Sequence, residues 1–256
     1  MRREALALLA CPACHKPLSI LPVCEADGDI TAGSLSCPAC GASYPIRDGL
    51  PDFLLPECLR RGNRLSRALY NAYSSLYDPL EAFLARMMGF SEPALREEIA
   101  SYLELAPNSS VLEVCVGTGG NIPYIRARTR GPIFGLDISE KMLRVCLKRL
   151  RQLGLRGVHL SIGCAERLPL ASSAFDRVLI GGGISYFDEP GKALEEAARV
   201  LKPGGLLVVF EQVTLLEKAL GRADIPLKLA PPGLRPLQRK WLFRGAFYLV
   251  KLVKEA

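Results

Sequence analysis

The chain has 256 residues, 49% hydrophobic and 23% charged, a balance that suits a globular protein with a substantial core and excludes a disordered one. The formal net charge is +7, yet residues 1–57 hold four basic and seven acidic residues, so the excess lies downstream and the N-terminal end is unsuited to phosphate contacts. No apolar run reaches the roughly 18 residues that span a bilayer, and MRREALALLACPAC breaks off too early for a signal peptide, so the expectation is a soluble, cytoplasmic protein with reduced thiols.

The first element is a pair of CPAC motifs, at 11–14 and 37–40, separated by 22 residues. Each puts two thiolates on one tight turn, so Cys11, Cys14, Cys37 and Cys40 form a closed tetrahedral set for a structural Zn²⁺. His15 and Cys24 stand outside the repeat and are read as bystanders. Residues 1–57 are too few for a core of their own, so the metal is expected to supply about 10 kcal/mol of their folding free energy, and chelation to unfold this end first. The run LSCPACGASYPIRDGLPDFLLP resembles zinc-ribbon domains found beside methyltransferases or acting as their activating partners; Tyr44, Pro45, Ile46, Asp48, Gly49, Leu50 and Pro51 carry the likeness.

Residues 58–100 read as a basic linker, Cys58 to Arg67, running into helices that would cover a site in the domain that follows. YNAYSSLYDPLEAFLARMM has aromatic and apolar residues at helical spacing, and SEPALREEIASYLEL opens with a serine cap and a first-turn proline. Across 101–256 short apolar runs (VLEVCV, IFGLDI, VHLSIG, FDRVLIGGG, LLVVFEQV) alternate with the helical segments NIPYIRART, SEKMLRVCLKRLRQLG and PGKALEEAARVL. That alternation predicts an α/β, doubly wound, mostly parallel sheet, seven-stranded once a C-terminal hairpin is counted. KWLF and AFYLVKLVK lie too close for a crossover, so they predict a closing antiparallel hairpin; the preceding TLLEKALGRADIPLKLAPPGLRPLQ reads as loop rather than lid.

In such a sheet ligands sit beyond the carboxyl ends of the strands, where VLEVCV gives way to Gly117, Thr118, Gly119 and Gly120. A dinucleotide fingerprint fails, because Ile122 stands where its last glycine belongs, and Glu113 would repel a pyrophosphate. A cationic, phosphate-free nucleoside suits the acid. S-adenosylmethionine is one, and Asp137, twenty residues after Gly117, sits at the end of the second strand, where its ribose hydroxyls could be held.

VLEVCVGTGGN, GLDIS, ERLPLASSAFDRVL and RVLKPGGLLVV together resemble the class I S-adenosylmethionine-dependent methyltransferases, especially the quinone C-methyltransferase-like group. The resemblance implies that Glu113, Gly117 and Gly119, with Cys115, Thr118 and Asn121 of the same turn, surround the methionine moiety. It further implies that Asp137 accepts from the ribose, Ile138 packs on the adenine, Ala165 and Glu166 lie at its edge, and Gly181 and Gly182 border the methyl. YNAYSSLYDPL resembles the family's cofactor-covering helix, so Tyr77 and Tyr73 become contacts, with core packing as the alternative.

Two positions depart from the family. Cys115 replaces a glycine, which is tolerable only if the backbone there does not require positive φ. Cys164 stands where an aspartate commonly takes the adenine amino group, at an expected cost of about 1 kcal/mol in binding unless Glu166 compensates.

Methyl transfer is an in-line displacement at an activated carbon and needs no triad. His159 falls in a buried strand and reads as structural, while Tyr186 could orient an acceptor or take a proton. GGGISYFDEP lacks the Asn/Asp-Pro-Pro-aromatic signature of nucleic-acid amino-group methylation. Three readings follow: a carbon or oxygen methyltransferase acting on a small molecule, a ribosomal RNA base methyltransferase, and a non-catalytic scaffold.

Overall fold

A computed structural model describes residues 1–21, 24–26, 28–212 and 224–255, with Arg244 described by its backbone alone. The N-terminal lobe is an antiparallel sheet in which β1 (Ser19–Ile20), β3 (Asp29–Ser36), β4 (Ser43–Arg47) and β5 (Leu50–Pro51) are neighbours in that order and β2 (Cys24–Ala26) pairs with β3. The second CPAC motif forms the β3–β4 turn. The four cysteine sulfurs lie within 4.8 Å of one another. The Cys14–Cys37 and Cys11–Cys40 separations of 3.4 and 3.6 Å approach the edge of about 3.8 Å expected for sulfurs bound 2.3 Å from a tetrahedral zinc. The Tyr44 hydroxyl sits 3.1 Å from Cys11 Sγ, where it can donate to a thiolate and steady the ligand.

The main sheet runs β11 (Leu234–Leu242), β12 (Phe247–Lys254), β10 (Leu201–Gln212), β9 (Phe175–Gly181), β6 (Val111–Val114), β7 (Ile133–Asp137), β8 (Val158–Ile162). Strands β6 to β10 are parallel; β12 runs antiparallel to both β10 and β11. Every residue of β6 and β7 is buried, as their continuous apolar runs require of strands covered on both faces. Strand order reverses at β6, which has β7 on one side and β9 on the other, so the crevice opens above it.

Helices α1 (Arg61–Tyr73), α2 (Tyr77–Met87), α3 (Glu92–Tyr102), α4 (Ile122–Arg126), α5 (Glu140–Gln152), α6 (Pro190–Val200) and α7 (Ile225–Lys228) complete the fold. The local chemistry of α5 is typical: Ser139 caps it by accepting from the Met142 amide, and Met142, Leu143, Cys146 and Leu150 bury one face.

Several expectations are corrected. The helix expected over residues 70–88 is two helices, broken at Ser74–Leu76, and the first begins inside the expected linker at Arg61. The first strand stops at Val114, not Val116. Residues 234–238, expected as loop, belong to β11; it is an edge strand, and a bulge between Pro236 and Gln238 accommodates the proline. The expectation for residues 214–223 lies outside the described residues.

The N-terminal lobe does not stand apart. Phe53 N donates to Ile162 O at 2.9 Å, so the chain after β5 continues the main sheet past its β8 edge, and Leu9 bridges to Leu170 on a second seam. Leu35, Tyr44 and Phe53 share one apolar cluster with Phe134, Leu136 and Leu168. The core that the short lobe lacks by itself is borrowed from its neighbour. Cys58 and Cys164, 106 residues apart, form a disulfide with a Cα separation of 6.4 Å, so the expectation that all thiols are free fails for this pair.

Candidate active site

A cavity of about 340 Å³ lies at the carboxyl ends of β6, β7, β9 and β10, roofed by α1 and α2. Two anchors hold the first helix in place. At its start the Asp188 carboxylate accepts from the Gly62 and Asn63 amides at 2.9 and 3.1 Å, a favourable use of an acid at a helix N-terminus. Toward its end Asn71 accepts from Ser139 Oγ at 2.7 Å. The second helix is fixed by Asp78, which accepts from Thr118 Oγ1 at 2.6 Å and Arg149 Nη2 at 2.5 Å.

Asp137 ends β7 on the cavity wall, 8% exposed. Each carboxylate oxygen accepts one backbone amide at 2.8 Å, from Gly117 and from Ser139, which leaves lone pairs for a ligand's hydroxyls. Burial pushes its carboxyl up to about 6 against the pull of those amides. Glu166 also lines the wall; Oε1 accepts from Asn63 Nδ2 at 3.0 Å, while Oε2 is buried without a partner among the described residues.

Glu113 lies one layer deeper. It is 1% exposed and is not part of the wall; a Cβ on Gly181 would meet Glu113 Oε1 at 3.3 Å, so the carboxylate sits directly beneath that glycine. Asn121 Nδ2 donates to Oε1 at 2.6 Å, and Arg96 donates to Asn121 Oδ1 at 3.2 Å, but Glu113 Oε2 has no partner among the described residues. Burial raises the Glu113 carboxyl to about 7, with Asn121 and Arg96 opposing.

The turn itself runs through Cys115 at φ +60°, Gly117 at +54° and Gly119 at +79°. The condition set for Cys115 is therefore not met: a non-glycine residue occupies the left-handed region here, at a cost of about 1 kcal/mol. Its thiol fills space against Gly183, whose hypothetical Cβ would lie 3.3 Å from Cys115 Sγ. Gly119 faces α5 rather than the cavity, since a Cβ there would sit 2.5 Å from Cys146 Sγ.

Of the residues named from sequence, Tyr73, Tyr77, Cys115, Gly117, Asp137, Ile138, Ala165, Glu166, Gly181, Gly182 and Tyr186 line the cavity. Glu113, Thr118, Gly119 and Asn121 do not; they build its floor or anchor the roof. Cys164 lines it too, but as half of the disulfide. Tyr186, 49% exposed, marks the mouth, and the Glu211 carboxylate holds its short loop by accepting from the Gly183 and Ser185 amides at 3.2 and 3.4 Å. His159 is 3% exposed and is not part of the cavity wall; burial lowers it to about 4, so it stays neutral at pH 7, as a core histidine should.

Sequence reasoning missed Tyr70, Arg96, Asn63 and Glu211. A signal existed for Tyr70, because residues 70, 73 and 77 stand at helical spacing in the sequence, and although they fall on two helices their rings pack with centroids 5.6 to 6.3 Å apart. Nothing in SEPALREEIA distinguishes Arg96 from any other surface arginine.

These donors and acceptors fit a nucleoside with free hydroxyls and a cationic head: Asp137 and Glu166 retain acceptor capacity on the wall, and Glu113 keeps a buried oxygen below that has no partner among the described residues.

Comparison with known proteins agrees. Residues 112–209 match the family described as methyltransferase domain, and residues 2–49 match the Trm112p-like protein family. A demethylmenaquinone methyltransferase from Bacillus cytotoxicus is 33% identical over 145 residues, 56% of this chain and 60% of the relative, so the match spans only part of that enzyme. Among solved structures, the complex of the Haloferax volcanii Trm112 methyltransferase activator with a putative methyltransferase is similar at TM-score 0.63 and 17% identity, covering 74% of this chain and 97% of that one. A SAM-dependent methyltransferase from Aquifex aeolicus is similar at TM-score 0.55 and 21% identity, with 62% and 89% covered.

Proposed function

We propose that this chain, which joins a class I S-adenosylmethionine-dependent methyltransferase domain to a Trm112p-like zinc ribbon, transfers a methyl group to carbon or oxygen of a small molecule. The observation that carries the reading is Asp137: a buried carboxylate at the end of β7, braced by the Gly117 and Ser139 amides, with acceptor capacity left facing the cavity. When bound, the cofactor supplies an electrophilic methyl on a sulfonium. Asp137 would hold ribose hydroxyls, Glu166 would take the adenine amino group in place of the acid that Cys164 replaces, and Arg96 would meet the methionine carboxylate. Glu113 would supply negative charge beneath Gly181.

Phe187, Phe210 and Phe247 give the cavity an aromatic share of its wall, which favours a flat apolar acceptor, in line with the quinone methyltransferases among the relatives. Tyr186 would orient it, and closure by α1 and α2 would exclude water. A ribosomal RNA acceptor is the second reading, favoured by the Trm112p-like match alone. The ribbon serves the domain as a companion within one chain.

Calorimetry with S-adenosylhomocysteine is expected to give a complex that Asp137→Ala abolishes; absence of binding by the zinc-loaded wild type would leave the scaffold reading. Transfer of labelled methyl from S-adenosylmethionine into the lipid-soluble rather than the RNA fraction of a cell extract separates the two acceptors. Tyr186→Phe should lower turnover with cofactor affinity unchanged.

A further inference from the structure

The two roof helices are amphipathic in the unusual sense. On α1, Asn63, Ser66, Tyr70 and Tyr73 face the cavity, while Leu65 and Leu69 face out; on α2, Tyr77 and Glu81 face in, while Leu80, Phe83, Leu84 and Met87 face out. The outward positions 80, 83, 84 and 87 follow helical spacing, so they make one stripe. Leu65 is 69% exposed, Phe83 60% and Met87 71%. Of the fourteen large apolar side chains exposed among the described residues, eight lie between Leu65 and Met88, which is a patch rather than the scatter normal on a surface.

The charges around the stripe have one sign. The exposed ionisable residues of these helices are Arg61, Arg64 and Arg86, and none has an ion-pair partner among the described residues. Of the two acids on the helices, Asp78 is half-exposed but neutralised by its pair with Arg149, and Glu81 lines the cavity. An outward apolar face edged by unpaired arginines and without an unpaired exposed acid matches the acyl-and-headgroup boundary of an anionic bilayer. A second copy of the chain suits it less, since a two-fold contact would set arginine against arginine.

We infer that the outer face of α1 and α2 docks on anionic lipid surfaces, seating the apolar stripe among the headgroups and the arginines against lipid phosphates. Among the described residues no helix is long and apolar enough to cross a membrane, so the association is peripheral. The inner faces of the same helices roof the cavity, so docking would bring its mouth to the bilayer. That consequence alone rests on the methyl-transfer reading.

The full zinc-loaded chain, sedimented with vesicles of phosphatidylcholine alone or mixed equally with phosphatidylglycerol, tests this. The expected result is binding to the mixed vesicles that weakens with added salt. Arg61→Glu with Arg64→Glu should cut partitioning by at least about fivefold per arginine and flatten the salt dependence. Leu65→Asp, Phe83→Asp and Met87→Asp together should cut it by more than about tenfold. None of these residues lines the cavity, so thermal unfolding and S-adenosylhomocysteine affinity in the absence of vesicles report folding and the cofactor reading separately. Wild-type protein that stays in the supernatant at low salt, or that forms a dimer broken by the triple aspartate variant, overturns the inference.

Discussion

Replacing Glu113 with glutamine separates what this carboxylate does for the fold from what it does for the ligand. Its folded value of about 7 stands above the ordinary 4.5, with burial as the main cause. The unfolded chain gives up the proton first. Between about pH 4.5 and 7 the folded protein therefore holds the extra proton, and its stability falls as pH rises through that window. The interval corresponds to about 3 kcal/mol, fully expressed above pH 7. Glutamine keeps the bond from Asn121 but never ionises. The variant should then match the wild type near pH 4.5 and exceed it by up to about 3 kcal/mol at pH 8, read as the difference between two chemical-denaturation curves, in which all other titrations cancel.

Binding should move the opposite way. The Glu113 charge buried beneath Gly181 attracts a cationic ligand across that layer, so Glu113→Gln should lose between about tenfold and a hundredfold in S-adenosylmethionine affinity at pH 8. Wild-type affinity should fall as pH drops below 7, with a shallower fall in the variant. A variant less stable than wild type at pH 8, or equal to it in affinity, would refute the assignment.

Asp137→Ala removes both the brace on the Gly117 amide and the hydroxyl acceptor, so S-adenosylhomocysteine affinity should drop by more than about a hundredfold by calorimetry. Gly119→Ala sets a Cβ 2.5 Å from Cys146 Sγ at φ +79°, and should destabilise by about 2–3 kcal/mol; adding Cys146→Ala should recover the steric part and leave the backbone part. Stripping zinc with a chelator should lower the main unfolding transition of the whole chain rather than melt residues 1–57 alone, because the lobe shares its apolar cluster with the sheet and covers the β8 edge. Elemental analysis should find one zinc per chain before treatment, and a separate early transition after it would contradict the shared core.

Much of the fold is legible in local sequence. The repeated CPAC spacing predicts a four-sulfur cluster because a tight turn brings nearby thiols together whatever the rest of the chain does. The alternation of apolar runs and helical segments predicts parallel β6 to β10, and the short gap before AFYLVKLVK predicts antiparallel β12, because periodicity and connection length are local quantities. Asp137 at the end of β7, beside the glycine turn, follows from the same logic.

What the sequence could not decide depends on contacts between distant residues. Cys115 takes a left-handed backbone because the turn must clear Gly183 and place the Gly117 amide on Asp137; its own identity argued against that conformation. Glu113 and Asn121 drop beneath the cavity, and Thr118 turns to Asp78, because packing of α2 and α3 settles which side of the loop each faces. Arg96, the Cys58–Cys164 pair and the seam between Phe53 and Ile162 join segments 25 to 109 residues apart, as with Arg96 to Asn121 and Phe53 to Ile162. Local spacing sets the elements through steric and periodic rules that act over a few residues; which surfaces meet is settled only when the whole chain buries its apolar area at once.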